Sequence, residues 1–199
     1  MPPSLVLAST SRYRAALLAR LEVPFEALAP DFDEEAERGH FARLGPAAFA
    51  AHLARGKAAS LRAARPDSWI LAADQIGVLE REGVATLLGK PGSEAAAVEQ
   101  LFAMAGRTHE LLTAVVLAGP GGAPLREALD RHRLTMRAFS RDEAARYVAT
   151  HQPLDCAGSY RIEDAGIALF EKIEGDDYTG IIGLPLIAVS RLLRDAGLA

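Results

Sequence analysis

Cysteine and lysine are scarce in this chain, and each scarcity removes possibilities. The one cysteine, Cys156, excludes an internal disulfide framework. With Ala157 and Gly158 after it and no partner in view, it is expected to be a small buried residue. No apolar run approaches the roughly 20 residues that span a bilayer. The start, Met1-Pro2-Pro3-Ser4, has no basic segment leading into an apolar stretch, so no signal peptide and a cytoplasmic location are expected. A net charge of −4 argues against non-specific nucleic-acid binding. No phosphate-loop, nucleophile-elbow, zincin or Cys-x-x-Cys motif occurs. Gly119-Pro120-Gly121-Gly122 is turn material and opens no dinucleotide-binding helix. The five histidines, His40, His52, His109, His132 and His151, show no ligand spacing, which argues against a histidine metal site. Only Lys57, Lys90 and Lys172 are lysines among 22 basic residues of an alanine-rich chain. A lysine kept under such a bias is a candidate compact point charge.

What is present is an alternation of short apolar runs and helical patterns in 199 residues, enough for one large domain or two small lobes. Strands are expected at Ser4 to Ala8, Phe25 to Ala29, Trp69 to Ala73, Leu111 to Leu117, Ile167 to Phe170 and Tyr178 to Ile182. Helices are expected at Arg12 to Leu21, Pro46 to Ala64, Ser93 to Met104, Ser140 to Ala149 and Pro185 to Arg194. Leu125 to Phe139 is ambiguous, with a periodicity that tempts a helical assignment. The class is α/β.

The stretch "LASTSRYRAALL" hands a strand to a helix through Ser9, Thr10 and Ser11, with Arg12 and Arg14 in the first turn. Cations there oppose the helix dipole, and a bound anion would resolve the conflict. Asp74 ends the apolar run "WILAAD" at what reads as the carboxyl end of a strand, where ligands of α/β sheets collect. It is a metal ligand, a base, or a turn-forming residue. Asp31, Asp33 and Glu34 follow another strand and are either hard ligands for Mg²⁺ or Mn²⁺ or a solvated loop. Lys90, between Gly89 and Pro91, is either aimed at a phosphate or an exposed turn cation. Lys57 follows Gly56 inside a helical pattern. Glycine there is unfavourable by roughly 1 kcal/mol, which suggests close approach by another segment; the alternative is a surface lysine.

In order along nearly the whole chain, "LASTSRYRAALL", "DFDE", "HLARGKA", "AADQ", "LGKP", "GRTHELLTAV", "FSRDEAARYV", "CAGSYRIEDAGIALFEKIEGD" and "YTGIIGLPLIAVSRLL" resemble the Maf-type nucleotide pyrophosphatases. The resemblance implies one domain over 1–199, a mixed sheet flanked by helices in two lobes around a deep cleft, similar to inosine triphosphatases. It also implies a homodimer, a divalent metal, and hydrolysis of a nucleoside triphosphate to monophosphate and pyrophosphate. By the same resemblance Asp74 is the catalytic carboxylate. Ser9, Ser11 and Arg14 form the phosphate-binding loop, Glu34 and Asp74 are the metal acids, and Lys57 and Lys90 are lysines of the cleft. The stretch after Leu125 is implied to be a strand. Arg12 replaces a proline usual in the first loop, so it either touches phosphate or faces solvent.

Tyr13, Gln75 and Glu163 resemble the choices of the branch acting on 7-methyl-GTP. N7-methylguanine is cationic and suits an aromatic face, and a carboxylate suits its N1–H and exocyclic amine. The resemblance implies removal of modified nucleotides. The rival readings are a UTP or dTTP pyrophosphatase of the same family and a non-catalytic nucleotide-binding regulator linked to septum formation. No nucleic-acid or membrane partner is expected.

Overall fold

A computed structural model describes residues 4–199, so Met1, Pro2 and Pro3 of the expected domain and leader reading lie outside the described residues. In chain order the elements are β1 (Leu5–Ala8), α1 (Arg12–Ala19), β2 (Phe25–Leu28), a 3-10 turn (Ala36–His40), α2 (Phe41–Leu44), α3 (Pro46–Ser60), β3 (Trp69–Arg81), β4 (Val84–Leu88), α4 (Glu94–Met104), β5 (Thr108–Ala118), β6 (Arg126–Met136), α5 (Arg141–His151), β7 (Phe170–Glu174), α6 (Tyr178–Ile182) and α7 (Leu186–Asp195). The seven strands form one mixed sheet in the order β2-β1-β3-β5-β6-β7, with β4 paired to β3. β1 runs parallel to both β2 and β3, whereas β3–β4 and β6–β7 are antiparallel. The fold class is α/β with helices flanking this sheet. Among the described residues no helix is long and apolar enough to cross a membrane.

The chain divides into two compact units. The first comprises Met1–Gln75, described from residue 4, with Thr113–Asp130 and Asp177–Ala199; the second comprises Ile76–Leu112 and Arg131–Asp176. In the first unit Leu5 and Leu7 of β1, Trp69, Leu71 and Ala73 of β3, and Val115 and Leu117 of β5 line one sheet face. Leu17 and Leu18 of α1 and Val189, Leu192 and Leu193 of α7 cover it. The opposite alternation in β3 carries Ile70, Ala72 and Asp74, all buried. α3 buries Phe49, Ala50, Leu53, Ala54, Lys57 and Ala58 along one stripe.

Several expectations change. β3 does not stop at Ala73 but continues to Arg81, so Asp74 lies inside a strand. It is β1 that stops: its last pairing with β3 is Leu7 with Leu71, and Asp74 stands just past the end of that neighbour. Tyr178 to Ile182 is a helix, not a strand, because the Asp177 carboxylate caps it by accepting from the Thr179 backbone N–H. A five-residue apolar run does not separate the two by periodicity. Ile167 falls in a 3-10 turn, Ala165–Leu169, and the strand begins at Phe170. α3 ends at Ser60, short of Ala64. The ambiguous stretch is strand β6, in which His132, Leu134 and Met136 are buried and the residues between them are more exposed. Polar Asp130 and His132 at inward positions hide that alternation. β4 was not foreseen; its hairpin turns through Glu82 (φ 51°) and Gly83 (φ 77°), the paired positive φ of a two-residue turn. Cys156 is only half-buried, and burial lifts its thiol pKa to about 11.

In the second unit His109, Tyr160 and Phe170 form an aromatic cluster with ring centroids 4.9 to 6.0 Å apart. His109 Nε2 and the Tyr160 hydroxyl are hydrogen-bonded at 2.8 Å, while His109 Nδ1 is buried without a partner. Burial pulls the His109 pKa from 6.5 down to about 4. The unfolded chain therefore takes up this proton first as pH falls. The associated stability is complete above pH 6.5 and lost progressively towards pH 4, ~3 kcal/mol in all. Urea unfolding across that window should show this slope in the wild type and lack it in His109→Gln; equal slopes would contradict the assignment.

Candidate active site

Two features of the first unit converge on Lys57. The Lys57 ammonium, only 5% exposed, donates to Asp74 Oδ1 and lies 2.8 Å from Glu34 Oε1. Asp74 is 4% exposed, whereas Glu34 is about half exposed. The surface-lysine alternative for Lys57 is thereby excluded. Gly56 explains how the acidic segment reaches the helix: a Cβ there would stand 2.1 Å from the Phe32 ring. The glycine admits Phe32, and Phe32 carries Glu34 alongside α3. Asp33 caps the following turn, its Oδ1 accepting from the backbone N–H of Glu35 at 3.0 Å and of Ala36 at 3.2 Å. Asp31 is exposed and Asp33 is committed to the turn, so only Glu34 of the three acids joins Lys57.

Burial lifts the Asp74 carboxyl above the ordinary range, Lys57 opposing most and Arg14 least among its neighbours. Arg14 carries the complementary burden. Burial lowers its pKa, and the charges of Asp74 and Glu34 hold it up. Its Nε donates to the Gly183 carbonyl at 2.9 Å, across from α1 to the end of α6. Gly183 has φ 124°, a conformation that side-chain-bearing residues rarely adopt.

Ser9 and Ser11 shape the start of α1. The Ser9 hydroxyl accepts from the Ser11 N–H at 3.1 Å, and the Ser11 hydroxyl caps the helix by accepting from the Arg14 N–H at 3.3 Å. Arg12 neither ends in solvent alone nor waits for a partner: its guanidinium donates to the Tyr13 hydroxyl at 3.0 Å and lies over the Tyr13 ring at 4.9 Å. Tyr13 itself is 37% exposed.

Gln75 follows Asp74 on β3 and so faces the other side of the sheet. Its amide nitrogen is 2.7 Å from the Gly180 carbonyl, 3.1 Å from that of Ile181 and 3.0 Å from the Thr113 hydroxyl. The Thr113 hydroxyl also donates to Gly180 O, at 3.0 Å. Gln75 is therefore a fastening for α6.

The residues that hold this fastening escaped the sequence reading. Asp177 Oδ1 accepts from the Thr179 N–H and hydroxyl, and its Oδ2 from the Ile187 N–H at 2.7 Å; the Thr179 hydroxyl accepts from the Leu186 N–H at 2.8 Å. One buried Asp-x-Thr pair thus caps both α6 and α7. The signal was visible as "DDYTG", an Asx turn before an apolar run.

Lys90 and Glu163 belong to the second unit, and both are exposed. Lys90 rides on a braced turn, where Gln100 Nε2 donates to Gly89 O at 3.2 Å and the Gly92 N–H to Leu154 O at 3.2 Å. Gln100 Oε1 in turn accepts from the buried Ser159 hydroxyl at 2.6 Å. Glu163 follows Tyr160 closely and its charge reaches that phenol. The fold also brings His40 and His52 to one carboxylate, Glu37, although their spacing gave no hint of it.

The family profile described as Maf-like protein matches residues 4–196. A protein of Xanthomonas axonopodis pv. citri named 7-methyl-GTP pyrophosphatase is 44% identical over 195 residues, covering 98% of this chain and 97% of its own. Proteins of the same name from Bdellovibrio bacteriovorus and Syntrophotalea carbinolica are 43% and 39% identical, over 98% and 97% of this chain and 97% and 94% of theirs.

Because Asp177 satisfies donors of two helices, Asp177→Ala should lower the unfolding free energy by about 2 kcal/mol or more. Urea denaturation measures this, and a loss below about 0.5 kcal/mol would show that the caps are dispensable.

Proposed function

The chain belongs to the Maf-like protein family, and on that premise we propose that it is a nucleoside triphosphate pyrophosphatase, a hydrolase of acid anhydrides. Its substrate in this proposal is 7-methyl-GTP, cut to the monophosphate and pyrophosphate. The observation that carries the reading is the buried Lys57 ammonium held between Asp74 and Glu34. It occurs in a chain 39% to 44% identical to relatives named for that reaction.

Two carboxylates from different segments meet at one point, a hard oxygen donor set that fits Mg²⁺ or Mn²⁺. Glu34 and Asp74 would hold such an ion, which when bound supplies neutralisation of phosphate charge and polarisation of the phosphoryl group. Asp74 orients the attacking water and takes its proton. The water oxygen bonds to α-phosphorus as the bond to the bridging oxygen breaks, and pyrophosphate leaves. Lys57 fixes the Asp74 carboxylate and, with Arg14, offsets the charge that gathers on the leaving oxygens. Ser9, Ser11 and the first N–H groups of α1 bind phosphate oxygens.

For the base, Tyr13 offers a face to the cationic ring. Arg12 already lies over that tyrosine, so the base uses the other face or displaces Arg12. Gln75 acts indirectly, by holding α6. Lys90 as a phosphate contact and Glu163 as the acceptor for the guanine edge rest on the family resemblance. So do one domain with a cleft, a homodimer and a role in removing modified nucleotides, whereas a cytoplasmic location rests on the sequence expectation alone.

Pyrophosphate release from 7-methyl-GTP, GTP, UTP, dTTP and CTP, with Mg²⁺ or Mn²⁺, tests the reading. Preference for 7-methyl-GTP is expected, lost in Glu163→Gln. Asp74→Asn should cut turnover roughly 10²- to 10⁴-fold. Preference for UTP or dTTP would overturn the roles of Tyr13 and Glu163. No release from any of them would favour a nucleotide-binding protein.

A further inference from the structure

A second cluster, chemically unlike the first, lies in the segment that follows Glu34. Glu37 and His40 sit three residues apart in the 3-10 turn, and His52 projects from α3. His52 Nε2 is 2.5 Å from Glu37 Oε2, and His40 Nε2 is 3.6 Å from the same oxygen. The three donor atoms all lie within 4.8 Å of one another. The two imidazoles meet edge to face with centroids 5.5 Å apart. Their setting is partly fixed. The Phe49 ring, buried to 1% exposure, stacks on His52 at 6.5 Å and packs against Phe41 at 5.4 Å.

We propose that Glu37, His40 and His52 form a site for a divalent transition-metal ion of the Zn²⁺ or Co²⁺ kind, separate from the Glu34–Asp74 carboxylates. Two neutral imidazoles and one carboxylate are borderline ligands, which suit Zn²⁺, Co²⁺ or Ni²⁺ and serve Mg²⁺ poorly. Three protein ligands leave a coordination position for water. The existing His52–Glu37 hydrogen bond holds two donors near the positions an ion would need, and the ion replaces the proton between them. Binding at His40 Nε2 puts the ring proton on Nδ1, so Arg43, now 3.4 Å from Nδ1 and exposed, turns away. An occupied site ties the turn carrying Glu37 and His40 to α3. Glu34 lies three residues before Glu37, and Lys57 five residues after His52 on the same helix. The ion would therefore brace the Glu34–Lys57 contact without touching it.

The test uses the full chain freed of metal by a chelator, titrated with Co²⁺ and followed by visible absorption, with Zn²⁺ then added as competitor. The expected result is Co²⁺ binding with a ligand-field spectrum showing nitrogen ligation, displacement by Zn²⁺, and a rise in melting temperature with Zn²⁺. Affinity should fall by about tenfold or more in His52→Ala and in His40→Gln and be unchanged in Asp74→Asn. Both histidines are partly exposed, and circular dichroism checks that the variants remain folded. Absence of Co²⁺ and Zn²⁺ binding, binding unaltered in both histidine variants, or binding lost in Asp74→Asn would overturn the proposal. None of these readouts depends on nucleotide hydrolysis, so failure here is distinguishable from failure of the pyrophosphatase reading.

Discussion

A buried ammonium shared by two carboxylates governs the rest of this structure. Withdrawing Lys57 and Asp74 from water is unfavourable by several kcal/mol per ion before their attraction is counted, and removing either leaves the other uncompensated. The pair is tolerable only because the scaffold around it is exacting. The stripe of α3 that bears Lys57 is otherwise alanine, leucine and phenylalanine, and β3 offers Asp74 among small apolar neighbours. Glu34, half in water, completes the set at a lower desolvation cost. A point charge on a flexible stem can meet two carboxylates from different elements, which a planar guanidinium would do only in one orientation. The composition agrees, since the chain uses arginine for nearly every other cation.

Asp74 and Gln75 divide the labour between the two faces of one strand. Asp74 faces α3 and the acidic segment admitted by Gly56. Gln75 faces α6, whose start Asp177 and Thr179 lock together with the start of α7. Arg14 joins these systems, bonded to the backbone of Gly183 while answering the charges of Asp74 and Glu34. Successive residues of a strand must point in opposite directions, so the sheet ties a polar centre and its fastening to the same few residues of chain. β1 ends at Ala8, one residue past its last pairing with β3, and Ser9 to Ser11 then lead into α1.

Much of this was legible in the sequence, for identifiable reasons. Local chemistry marked the starts of α4 and α5, because Ser93 and Ser140 act within three residues of themselves. Gly56 advertised a close approach because a mid-helix glycine has a penalty that needs an explanation, and Phe32 provides it. Long-range effects were less readable. Asp74 looked like the end of a strand because a carboxylate interrupts an apolar run, yet a buried ammonium from α3 lets the strand continue. Tyr178 to Ile182 looked like a strand because its apolar run is short and its cap lies outside it. His40 and His52 looked unrelated because the turn that brings the first back onto α3 is encoded by Asp33 and the 3-10 geometry, not by any spacing between them.

In the proposed reaction, water attacks a nucleoside triphosphate at its α-phosphorus beside the Lys57–Asp74–Glu34 centre. Hydrolysis of 7-methyl-GTP in ¹⁸O-enriched water, with mass analysis of both products under single-turnover conditions, tests that claim most directly. One labelled oxygen is expected in the nucleoside monophosphate and none in pyrophosphate. Label in the pyrophosphate, or release of orthophosphate in its place, would contradict it.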